Sequence, residues 1–72
     1  MEPRKRRLLV VGSVLAELAR LRMSPEQLAD AAGISLSVLT RKLAGEQPFD
    51  VEELDAIARV LGVTVASLLN DE

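Results

Sequence analysis

The chain has no histidine, no cysteine, no tryptophan and no tyrosine, and Phe49 is its only aromatic residue. Each absence removes a class of chemistry. Without His or Cys there is no Ser-His-Asp triad, no thiol nucleophile, no thiolate zinc site and no disulfide. A single aromatic ring offers no stacking platform for single-stranded nucleic acid. The four glycines do not form a phosphate-cradling loop, and no apolar run is long enough to span a bilayer. On this inventory neither an enzyme nor a bound metal, cofactor or small-molecule ligand is expected.

What remains is aliphatic. Thirteen Leu, nine Ala and eight Val dominate a 72-residue chain that is 49% hydrophobic. Leu and Ala favour helix. The length allows one domain, with a core whose net stability is only a few kcal/mol, so each cap and turn matters.

The net charge of −2 conceals an asymmetry. Residues 1–45 carry eight basic side chains against four acidic ones, a balance of +4. Residues 46–72 carry Arg59 alone against seven acids, a balance of −6. One face is therefore expected to meet a polyanion. The plainer alternative is ordinary charge fluctuation in a short chain.

The first residues mimic a signal peptide, with basic Arg4–Arg7 ahead of apolar Leu8–Ala16. Two features oppose that reading. The apolar pattern continues as Val11, Val14, Leu15, Leu18 and Leu21, which is helical spacing. Removing the segment would also leave a core one helix short. Residues 1–7 are read instead as a basic arm ahead of a domain over 8–72. The arm either follows phosphates and enters a minor groove, or has no role.

Five helices are expected, over 8–22, 24–32, 35–44, 50–61 and 64–70, giving an all-α fold with no strand. Four junctions share one start signal, a polar cap preceded by an apolar residue that pairs with another five positions on. These are Met23-Ser24 with Leu28, Ile34-Ser35 with Leu39, Phe49-Asp50 with Leu54, and Val63-Thr64 with Leu68. Ser24 with Gln27 and Asp50 with Glu53 add capping boxes. Pro25 suits the first helical position, and Gly33, Gly45 and Gly62 fall where helices should stop. Leu8–Val11 has strand-like content and could be extended. On a helix, Leu9 would point off the stripe, leaving it exposed or buried against a partner.

The second and third helices are joined by Ala32-Gly33-Ile34-Ser35. Ala29 is small enough for the helices to cross closely, Gly33 can adopt the left-handed exit conformation, and Ile34 plugs the turn. Ser35 caps the next helix and Leu39 anchors it. This is a helix-turn-helix, a unit that places its second helix in the DNA major groove.

From about Gly12 to Leu69 the chain resembles the lambda-repressor-like helix-turn-helix family of phage Cro and repressor proteins. The matching stretches are Ser24–Ala29, the block Leu28–Leu39, Thr40–Gly45, Leu54–Val63 and Leu68-Leu69. The Arg41-Lys42-Leu43-Ala44-Gly45 ending, followed by Pro48-Phe49, resembles actinobacterial phage and host regulators. The resemblance implies a compact five-helix domain in the bacterial cytoplasm, associated with the nucleoid. It would bind double-stranded operator DNA as a homodimer, with helix three reading. Pro25 and Leu36 stand where many relatives have Gln, so no operator sequence carries over.

On a helical wheel Ser37, Thr40, Arg41 and Ala44 cluster within about 100°, with Leu39 and Leu43 opposite. Base reading is therefore expected from Leu36, Ser37, Thr40 and Arg41, with Arg41 bidentate to guanine and Leu36 against a thymine methyl. Phosphate contacts are expected from Gln27, Ser35, Gln47 and the arm residues Arg4, Lys5, Arg6 and Arg7. Lys42 lies nearer the core face and would snorkel to phosphate. The plain alternative for Arg41 and Lys42 is a solvated helix end that suits the C-terminal dipole. The functional alternative is a protein-interaction module on the same scaffold, an antitoxin or antirepressor whose acidic half meets a basic partner.

Overall fold

The computed structural model describes the backbone of residues 3–69 and the side chains of residues 7–69. The side chains of Arg4, Lys5 and Arg6, and the expected helix end at residue 70, lie outside that description. Five helices follow in order: α1 (Pro3–Leu21), α2 (Pro25–Ala32), α3 (Leu36–Leu43), α4 (Val51–Leu61) and α5 (Val65–Leu68). Among the described residues there is no strand.

The starts of α2 to α5 follow from their caps. Ser24, Ser35, Asp50 and Thr64 are the N-caps, each accepting a hydrogen bond from the backbone N–H three residues on. Both capping boxes form, with Gln27 and Glu53 reaching back to their cap N–H groups. The apolar partners close each staple. Leu28, Leu39, Leu54 and Leu68 are buried, and Met23, Ile34, Phe49 and Val63 pack on the same core.

Two glycines carry the exits that position α3. Gly33 takes φ 72, and its N–H and that of Ile34 return to carbonyls of α2. Gly45 takes φ 81 just after α3, and a Cβ there would lie 3.0 Å from a Leu8 methyl. Both the backbone conformation and the crowding call for glycine. Arg22 holds a similar left-handed position (φ 54) at the end of α1, a conformation unfavourable for a residue with a side chain.

The first helix departs most from the sequence expectation. It begins at Pro3 rather than residue 8, so residues 3–7 continue α1 instead of forming a separate arm. Leu8–Val11 is helical, not extended. The buried stripe is also rotated: Val10, Val14 and Leu18 enter the core and Val11 is buried, whereas Leu15 and Leu21 are exposed. A helix lying across α3, α4 and α5 buries one row at i, i+4 and i+8.

The helix-turn-helix is fixed from behind. α2 packs on α3 and α4, and α4 packs on α5. Leu28, Leu39, Ile57 and Leu68 are fully buried between them. That leaves the outer side of α3 facing solvent.

Candidate nucleic-acid interface

Eight residues form α3, and its two faces differ sharply. Leu39 is fully buried, and Lys42, with 9% of its surface exposed, is the most buried charged residue described. Leu36 is 44% exposed, and Ser37, Thr40, Arg41 and Ala44 are all open to solvent. The four residues expected to read bases therefore lie on one exposed face.

Their local bonds set what each can offer. The Thr40 hydroxyl donates to the Leu36 carbonyl at 2.8 Å, so its oxygen lone pairs and methyl face outward. The Arg41 guanidinium makes no hydrogen bond or ion pair among the described residues. The Ser35 hydroxyl oxygen accepts from the Val38 N–H, which leaves its proton to donate elsewhere. Gln27 uses its Oε1 on the Ser24 N–H at 2.9 Å, so its amide NH₂ points outward with two donors. Gln47 is exposed in the loop between α3 and α4.

Lys42 does not extend to the surface. Its Nζ pairs with Glu53 Oε1, the oxygen that also accepts from the Asp50 N–H at 2.9 Å. The Asp50 carboxylate in turn accepts from the Glu53 N–H at 2.7 Å. One carboxylate thus caps α4 and holds the reading helix to it. The expectation that Lys42 reaches phosphate gives way to this tether, because a side chain on the core flank meets the acidic first turn of α4 before it meets solvent. That turn, together with the inward wheel position of Lys42, was the available signal for the pair.

Arg7 also has a local partner. Its Nη1 donates to the carbonyls of Gly45 at 3.2 Å and Glu46 at 3.3 Å. The guanidinium therefore ties α1 to the loop just beyond α3. Nothing within one helix or turn signalled that contact, since 38 residues separate Arg7 from Gly45. A shallow groove between the Ala32–Ile34 turn and α4 is lined by Glu52, Glu53 and Ala56.

This geometry agrees with the comparison by sequence. A family model described as the Cro/C1-type HTH DNA-binding domain matches residues 15–72. The chain belongs to the Cro/C1-type helix-turn-helix family. As a Cro/C1-type domain it is a DNA-binding regulator, and the family works by binding DNA rather than by catalysis. The match takes in α2 and α3 whole, so the helix-turn-helix of this Cro/C1-type chain is Pro25–Leu43. Comparison with curated proteins and with solved structures yields no match. Among the described residues no helix is long and apolar enough to cross a membrane.

Proposed function

We propose that this Cro/C1-type domain is a sequence-specific transcriptional regulator, Cro-like or repressor-like, that binds operator DNA as a homodimer with α3 in the major groove. The observation that carries the reading is the outer face of α3. It gathers Leu36, Ser37, Thr40 and Arg41, whose guanidinium has no partner among the described residues, while Leu39 and Lys42 hold the opposite side. Arg41 is the base reader of longest reach and the only one able to make a bidentate guanine contact. Leu36 offers an apolar contact to a thymine methyl, and Ser37 and Thr40 complete the reading set. Ser35, Gln27 and Gln47 supply donors for phosphate at its edges, and Arg4, Lys5 and Arg6 add positive charge along the first turns of α1. Lys42 and Arg7 serve as anchors that hold α3 in place.

The test is selection from a random duplex library with the purified chain, followed by titration of the enriched duplexes. The expected product is a two-fold site with half-sites about one helical turn apart, bound more tightly than random duplex. Enrichment of no sequence overturns the reading. The protein-interaction alternative then gains ground, with the acidic groove beside Glu52 as the surface for a basic partner.

A further inference from the structure

We infer, resting on the reading of DNA by α3, that Arg7 is a positioning residue for Arg41 and so a determinant of sequence preference. Through a single peptide group it fixes the Arg41 carbonyl, and with it the angle at which the end of α3 presents the Arg41 side chain to a base pair.

The last turn of α3 closes in a Schellman motif. The Gly45 N–H returns to the Lys42 carbonyl and the Glu46 N–H to the Arg41 carbonyl, each at 3.1 Å. The Gly45 carbonyl and the Glu46 N–H belong to one planar peptide group. Arg7 Nη1 donates to that carbonyl at 3.2 Å and to the Glu46 carbonyl at 3.3 Å. A continuous chain of bonds therefore runs from the guanidinium, through the Gly45–Glu46 peptide, to Arg41. Because the group is planar, holding its carbonyl toward α1 holds its N–H toward Arg41. A cation on the carbonyl also polarises the group and strengthens that N–H as a donor.

Two further observations set this clamp inside the fold. Leu8 lies over the same peptide, since a Cβ at Gly45 would be 3.0 Å from a Leu8 methyl. Arg7 Nε is buried and has no hydrogen-bond partner among the described residues. The guanidinium is thus inserted beneath the loop rather than solvated along it. A buried donor left without a partner costs free energy, which the two carbonyl bonds offset. The other supports of α3 act elsewhere: the Ser35 cap holds its start, and Lys42 with Glu53 holds its core side. Arg7 acts on the turn that carries Arg41.

The test is a double-mutant cycle of Arg7→Met and Arg41→Ala on the full chain. Its readout is the ratio of affinities for enriched and random duplexes, with circular dichroism and NMR amide exchange on each free variant. Arg7→Met keeps the apolar stem and removes the donors. It should lower the ratio at least about fivefold, with random-duplex affinity changed less than about twofold and the salt slope unchanged. In the Arg41→Ala background it should lower the ratio less than about twofold, because the residue it positions is gone. In the free chain the Glu46 N–H should exchange at least about tenfold faster, and the Leu39 N–H much less so. Equal loss on both duplexes, with a slope flatter by about 0.9, makes Arg7 a phosphate contact and overturns the inference. An unchanged ratio, or the same loss with and without Arg41, also overturns it, whatever happens to thermal stability. Should Arg7→Met not fold, Arg7→Lys takes its place in the cycle, keeping the charge on a shorter side chain. A ratio at least about twofold lower is then expected, and a wild-type ratio overturns the inference. A wild-type chain that enriches no sequence overturns the reading by α3 instead, and exchange at Glu46 still decides whether Arg7 fixes the Arg41 carbonyl.

Discussion

Lys42 of α3 and Glu53 of α4 form an ion pair in which both side chains are largely buried, with 11% and 17% of their surfaces exposed. Glu53 also accepts from the Asp50 N–H. The carboxylate therefore caps one helix and fixes the inclination of another. Removing it should cost more than an isolated surface pair would. Glu53→Ala should destabilise the domain by about 2–4 kcal/mol, since it strands a poorly solvated ammonium and opens the capping box. Lys42→Met should cost less, about 1–2 kcal/mol, because it strands the more exposed partner of the pair, fills the site with an apolar stem of similar length and leaves Glu53 its cap bond. Urea denaturation of both variants checks the contrast. Equal losses would show that the pair itself, and not the cap and the stranded charge, sets the cost.

Arg41→Ala should lower affinity for the preferred duplex by about 1–3 kcal/mol and for random duplex much less, because it removes a contact to base edges. Its fold should be unchanged, since the side chain projects into solvent. Leu39→Ala is the control. It empties a fully buried position at about 2–5 kcal/mol and should lose binding by unfolding. Competition titration with circular dichroism separates the two. A folded Arg41→Ala that keeps its preference shifts the reading to Leu36, Ser37, Thr40 and DNA shape.

Salt dependence should be steep despite a net charge of −2. The log–log slope of affinity against salt should lie between about −3 and −7, at about −0.9 per phosphate neutralised. Replacing Lys5 and Arg6 together with Ala should flatten that slope and weaken specific and random duplexes alike. Fluorescence anisotropy across a salt series measures both. A slope that the double substitution leaves untouched would exclude those residues from the phosphate contacts.

Arg22→Gly should stabilise the domain by about 1 kcal/mol. The residue closes α1 at φ 54, with the Met23 N–H returning to the Leu18 carbonyl at 2.9 Å. Glycine adopts that conformation without the crowding a Cβ brings. Chemical denaturation gives the sign directly. A destabilised variant would mean that the Arg22 side chain contributes more than its backbone costs.

The sequence by itself determined the starts of α2 to α5, the turn of the helix-turn-helix and the outward face of α3. Each of these rests on relations spanning five residues or fewer: Ser24 with Gln27, Ile34 with Leu39, Asp50 with Glu53, Gly33 after Ala32. Such relations are settled within one helical turn, so the chain can be read locally. Tertiary structure decided the rest. Lys42 met Glu53 because the packing of α3 against α4 brings an inward-leaning cation onto an acidic first turn, and no rule of spacing connects residues eleven apart on different helices. Arg7 met Gly45 and Glu46 because α1 extends back to Pro3 and crosses beside the end of α3. Leu15 left the core and Val10 entered it because several helices together set which side of α1 is covered. Periodicity defines a stripe along a helix, but only the neighbours packed on it choose its rotation.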